Sequence, residues 1–168
     1  MDPLWSAPIS AWDAPVEPPT ASAALTSLEA GAVVFLPTLA FRPLAEEARL
    51  FTPAILGTAK NASFDPASGR LGGTSANGVE AAKLRDMIAR FSTGAAALVD
   101  RIFPRYRGRV TRARASFRPA EIAGRKTTWR KDDTRLHVDS FPATPTGGRR
   151  ILRVFTNEMG RASCRERV

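Results

Sequence analysis

Between Val79 and Ile102, apolar residues recur at steps of three and four: Leu84, Ile88, Phe91, Ala95, Leu98 and Ile102. That spacing gathers them on one face of a helix, and such a face must be covered by other parts of the chain. Ser92-Thr93-Gly94 weakens the middle of the helix, and Pro104 ends it. From Arg105 onward the texture changes. Short β-like runs occupy residues 106–117, 135–141 and 149–156, and the turn from Pro142 to Gly148 separates the last two. Helices first and strands after predict an α+β chain with a strand-rich functional half. At 168 residues there is enough chain for one domain with a real core.

The segment before that helix is less regular. Residues 1–22 contain Pro3, Pro8, Pro15, Pro18 and Pro19 with little periodicity, and read as a flexible arm. Ala23 to Ala30 reads as a short helical patch, and Ala32 to Leu36 as a buried strand closed by Pro37. Pro43 suits the first turn of a helix, with Glu46 and Glu47 at its positive end. Residues 57–78, rich in Gly, Asn, Ser and Asp, read as a long surface loop. No apolar run approaches the length of a membrane span, and the N-terminus lacks the pattern of a secretion signal. The single cysteine, Cys164, rules out an internal disulfide and a multi-cysteine zinc site. A cytoplasmic location fits best.

Charge is unevenly placed within the net +9. Residues 1–100 carry a balance of −3, residues 101–157 one of +11, and the remaining tail +1. The second half therefore suits partners bearing phosphate or carboxylate. Arg105, Arg107 and Arg109 alternate along one face of a run, as do Arg112 and Arg114. A charged strand edge and a phosphate-binding face both account for them. A basic nucleic-acid-binding module without catalysis is the alternative function. Against it, Tyr106 is the one aromatic residue interleaved with these arginines, and no helix-turn-helix or RNA-binding signature is present.

The chemistry centres on residues 129–141, Trp-Arg-Lys-Asp-Asp-Thr-Arg-Leu-His-Val-Asp-Ser-Phe. Leu136, Val138 and Phe141 make the surroundings half apolar and strand-like. His137 and Asp139 then point to the same face. One imidazole beside one carboxylate is two thirds of the facial triad that holds Fe(II) and leaves positions open. The chain has no other histidine. Either the third ligand lies outside this sequence or the pair is not a metal site. A lone strand histidine is more often structural, Asp132 and Asp133 suit turns better than ligation, and Trp129 suits a core as well as a sugar face.

The run from Trp129 to Pro142, followed by Gly148-Arg-Arg-Ile-Leu-Arg-Val-Phe-Thr-Asn157, resembles the Kdo hydroxylase family. Those are Fe(II)- and 2-oxoglutarate-dependent dioxygenases acting on the third carbon of Kdo, the 3-deoxy-octulosonic acid sugar of lipopolysaccharide and its lipid A. The resemblance spans roughly residues 25–157 and is strongest from 106 onward. It implies a double-stranded β-helix, or jelly roll, incomplete here and with N-terminal helices packed on it. It implies a partial dioxygenase domain over 23–157. His137 and Asp139 match the first two iron ligands, while the distal histidine has no counterpart in this sequence. Arg118 and Arg153 are assigned to the far carboxylate of 2-oxoglutarate, where a planar guanidinium grips best. The implied substrate is a lipid-linked acidic sugar, reached by peripheral contact with an anionic membrane surface. Residues 158–168 break the pattern, and Gly160 to Val168 looks like a translated sequencing adapter. The expectation is therefore a non-native tail and a fragment inactive by itself.

Overall fold

The computed structural model describes residues 3–119 and 145–157. Its longest element is α2, Gly78–Ile102, which follows the expected periodic stretch with one residue added. The C-cap is Phe103, just before Pro104, so the helix ends where proline would break its ladder. Two hydrophobic clusters lie along it. Leu84, Met87 and Ile88 join Phe41, Leu50, Ile55, Ala62 and Phe64 in the first. Leu98, Val99 and Ile102 join Ala7, Ile9, Ala24 and Phe103 in the second. One helix thus serves as wall to both cores, and Trp12 packs against each.

The second core is closed by a β-α-β unit. Strand β1, Leu4–Ser6, pairs in parallel with β2, Val33–Phe35, in the register Leu4↔Val33. Parallel neighbours need a crossover, and α1, Pro18–Glu29, supplies it. Pro18 and Pro19 stand in its first turn, where a missing N–H costs nothing. Ala21 and Ala24 are the residues it buries. These facts correct the reading of residues 1–22 as a loose arm. Ala7 and Ile9 are core residues, and the Trp12 indole N–H donates to the Ala40 carbonyl at 2.7 Å. Proline content marked the absence of helical periodicity there, but short extended segments tolerate proline and still bury side chains.

The first core is closed by a three-stranded antiparallel sheet in the order β4-β3-β5. Its strands are β3 at Ala62–Phe64, β4 at Leu71–Gly72 and β5 at Ala115–Phe117. Two of these strands lie inside 57–78, so that stretch is not the expected long loop. Asp65 explains why turn-rich composition hid them. Its carboxylate accepts the N–H groups of Ala67 and Ser68 at 2.9 and 3.4 Å, and Gly69 takes φ +69° to bring the chain back. The turn residues belong to a hairpin.

The expected helix at Pro43 is a short 3-10 helix, Ala45–Leu50, which starts two residues later. Glu47 is buried there and accepts the Leu44 N–H at 2.7 Å and a hydrogen bond from Arg90 of α2. A buried carboxylate needs such partners. Of the run 106–117, residues 115–117 form a strand, and Pro104–Tyr106 is a 3-10 turn. The expected strand at 135–141 lies outside the described residues. Residues 149–156 form no strand in the structure. Apolar and β-branched content suits a strand, but a strand also needs a neighbour's ladder. In this segment Val154 packs against the second core, while Ile151 and Phe155 are exposed. The architecture is mixed helix and sheet, with both sheets set around α2.

Candidate functional site

The β3–β5 pair has two unlike faces. Ala62, Phe64, Ala115 and Phe117 turn toward α2 and the first core. The register Ala62↔Phe117, Ser63↔Ser116 and Phe64↔Ala115 leaves Ser63 and Ser116 on the opposite face. Their hydroxyls lie 3.2 Å apart and share a hydrogen bond. One step beyond the last pair in each direction, the same face continues in Asn61 opposite Arg118 and Asp65 opposite Arg114. Asn61 Oδ1 accepts from Arg118 Nε at 2.9 Å. Arg114 Nε lies 3.6 Å from Asp65 Oδ2. Three cross-strand polar pairs therefore run along the side of the sheet facing away from the helix.

The electrostatics differ along this ladder. The Asp65 carboxyl is held below its ordinary range, first by the Ala67 N–H and then by the Ser68 N–H and Arg114. It stays ionised and offsets Arg114. Asn61 orients the Arg118 guanidinium while adding no negative charge to it. Arg118 is half-buried and sits directly after β5. A guanidinium held in one plane suits a carboxylate, because its parallel N–H groups match two oxygens. Such a group fits one carboxylate, as at the far end of 2-oxoglutarate.

The expected site residues separate into three groups. Arg118 stands on the polar sheet face. Arg153 is exposed in the segment that docks through Val154 on the second core, whereas Arg118 follows Phe117 of the first. The expectation that a strand carries Arg153 is not met. His137 and Asp139, with Trp129, Asp132 and Asp133, lie outside the described residues. Among the described residues no group of three His, Cys, Asp or Glu side chains is placed to hold a metal ion.

Asn61 was missed by sequence reasoning. Its signal was the alternation Asn61-Ala62-Ser63-Phe64, polar and apolar by turns, submerged in glycine- and serine-rich surroundings. A second polar cluster was also missed. Tyr106 donates its hydroxyl to Glu29 at the end of α1, and Arg150 pairs with the same carboxylate. Glu29 is held below its ordinary range, chiefly by the Tyr106 hydrogen bond and further by Arg150. Burial first, then the Glu29 carboxylate, raises the Tyr106 phenol. Glu29 thereby anchors the 145–157 segment beside the arginine-rich turn that follows α2. Arg105, Arg107 and Arg109 in that turn are exposed.

Residues 11–165 match the family model described as 3-deoxy-D-manno-oct-2-ulosonic acid (Kdo) hydroxylase. The structure is similar to crystal structures of the Kdo hydroxylase KdoO, a non-haem Fe(II) α-ketoglutarate-dependent dioxygenase. The cobalt(II) complex superimposes with a TM-score of 0.84 at 40% identity, covering 88% of this chain and 50% of that one. The complex with α-ketoglutarate and Fe(III) gives 0.82 at 39% identity, covering 88% and 49%. The apo structure gives 0.83 at 39% identity with the same coverage. The chain thus spans about half the length of the solved structures it matches. Comparison with curated protein sequences finds no match.

Proposed function

Since this chain belongs to the Kdo hydroxylase family, we propose that it acts in Fe(II)- and 2-oxoglutarate-dependent hydroxylation of the Kdo sugar of lipopolysaccharide. The observation that carries this reading is the match to KdoO, at 40% identity and a TM-score of 0.84 over 88% of the chain. The matched span includes the His137-x-Asp139 motif. In this reading the β4-β3-β5 sheet is part of one wall of a jelly roll. Helix α2 backs its apolar face, and its polar face looks into the site. Such a placement explains why hydroxyl, amide and guanidinium groups line the side away from the helix.

His137 and Asp139 would hold iron through one imidazole and one carboxylate. Arg118 and Arg153 would take the far carboxylate of 2-oxoglutarate by charge-assisted hydrogen bonds. Iron and 2-oxoglutarate, when bound, supply the oxidising power for attack on a sugar C–H bond. The protein orients both partners and keeps water out. The substrate is a lipid-linked acidic sugar. The excess of arginine after residue 100 favours peripheral contact with an anionic surface on the cytoplasmic side of the inner membrane. No helix among the described residues is long and apolar enough to cross a membrane.

The test is His137→Ala and Asp139→Ala, each placed in a chain of the matched structures' full length. Both should abolish iron-dependent consumption of 2-oxoglutarate. Turnover that survives either change rejects these residues as iron ligands.

A further inference from the structure

Residues 149–156 carry Arg153 yet form no strand, so no ladder fixes where that arginine stands. Side-chain contacts hold the segment. Val154 is the one residue of 149–157 that is not exposed, and it packs against the second core. Arg150 reaches back to the Glu29 carboxylate at the end of α1. The two contacts stand on either side of Arg153, one three residues before it and one immediately after. Three extended residues span at most about 11 Å, so both contacts act on the same short piece of backbone.

Glu29 is more than a passing surface charge. Both of its oxygens are engaged: Tyr106 donates its hydroxyl to Oε1, and Arg150 donates from Nη1 to Oε2. Tyr106 itself packs against the second core and tilts against Phe103, with ring centroids 5.5 Å apart. The carboxylate is thus set in place by a ring anchored in the same core that receives Val154. An exposed ion pair between two free side chains does little, because both must be ordered to form it. Here one partner is ordered beforehand, and Arg150 alone has to come to it.

We infer that Glu29 is a positioning residue for the cosubstrate, fixing through Arg150 the segment from which Arg153 meets the far carboxylate of 2-oxoglutarate. The inference rests on the reading of Arg153 as a cosubstrate ligand. Glu29 acts on the placement of that arginine's backbone and not on its charge. Its effect therefore belongs to the binding of 2-oxoglutarate and not to the binding of iron.

Each variant is made in a chain of the matched structures' full length. Glu29→Gln keeps the size and an acceptor for Tyr106, and loses the charge that Arg150 meets. The dissociation constant of 2-oxoglutarate, measured by calorimetry, should rise about threefold to fivefold, with the affinity for Fe(II) unchanged. The ratio of variant to parent should fall toward one in high salt, where an exposed pair is screened. Exchanging the charges, Glu29→Arg with Arg150→Glu, should bring the constant back to within about twofold of the parent. A merely structural role predicts a lower melting temperature for Glu29→Gln with an unchanged 2-oxoglutarate constant, and that result overturns the inference. So does an exchange that melts as the parent does yet binds as poorly as Glu29→Gln. Arg153→Leu is measured alongside. If it leaves 2-oxoglutarate binding unchanged, the reading of Arg153 fails and this inference with it. If it weakens binding while Glu29→Gln binds as the parent does, Arg153 stands and the role of Glu29 is overturned.

Discussion

Tyr106, Glu29 and Arg150 show how much a residue's neighbours decide its behaviour. Glu29 is solvent-exposed, yet its pKa is lowered, first by the Tyr106 hydroxyl and then by Arg150. A carboxylate depressed in the folded state adds stability above its unfolded value, here 4.5, and loses it as pH falls through the folded value. Tyr106→Phe removes the largest cause. The urea midpoint of the variant should fall below that of the parent at pH 7, and the gap should close as pH falls below 4.5. A gap that stays constant down to pH 3 would show that Tyr106 acts by packing and not through Glu29. Arg153 carries a separate expectation, resting on its proposed contact with 2-oxoglutarate. In a chain of full relative length, Arg153→Leu should weaken that affinity by about 2 kcal/mol, with the iron requirement little changed. Equal affinity in parent and variant would remove Arg153 from the site. At this scale the sequence revealed residue types better than positions. Arginine as a type singles out no position, and Arg118 could be proposed through the family resemblance. Asn61 could not, because its significance comes from a partner 57 residues away.

Among elements, α2 was legible nearly to its ends, since its period repeats over many turns and Pro104 marks its stop. The strands were not. Ala62–Phe64 and Leu71–Gly72 are too short to show alternation above their turn-rich setting. Residues 149–156 are β-like in composition without forming a ladder. By propensity Gly94 is a weak point in the helix, and the structure supplies another account. A Cβ at that position would lie 3.3 Å from the Trp12 ring, whose indole rests on the helix backbone there. Trp12 in turn meets Phe41 and Phe91 edge-on, with centroids 6.4 and 6.0 Å away. Helix propensity alone credits Gly94→Ala with about 1 kcal/mol. We expect none of that gain, because the added methyl pushes Trp12 off its neighbours. Chemical denaturation decides it: a variant more stable by the full amount would show that the indole shifts freely.

For the molecule as a whole, charge separates along the chain more cleanly than structure does. The five arginines between residues 105 and 114 lie exposed along the turn after α2 and the approach to β5, and Glu29 brings Arg150 beside that turn. Binding to vesicles of phosphatidylglycerol and phosphatidylcholine should therefore be measurable and should weaken steeply between low and physiological salt, where exposed charges are screened. Binding indifferent to salt would point to the exposed Ile151 and Phe155 in place of the arginines. The same view of the molecule bears on how it is made. Helix α2 is the common wall of both cores, yet it begins at residue 78. A ribosome delivers β1, α1 and β2 well before the surface that buries Ile9 and Ala24 exists, and at translation speeds that interval is several seconds. Until α2 emerges, the β-α-β unit is a lid without a box. Its apolar side chains are open to chaperones for as long as the intervening residues take to translate.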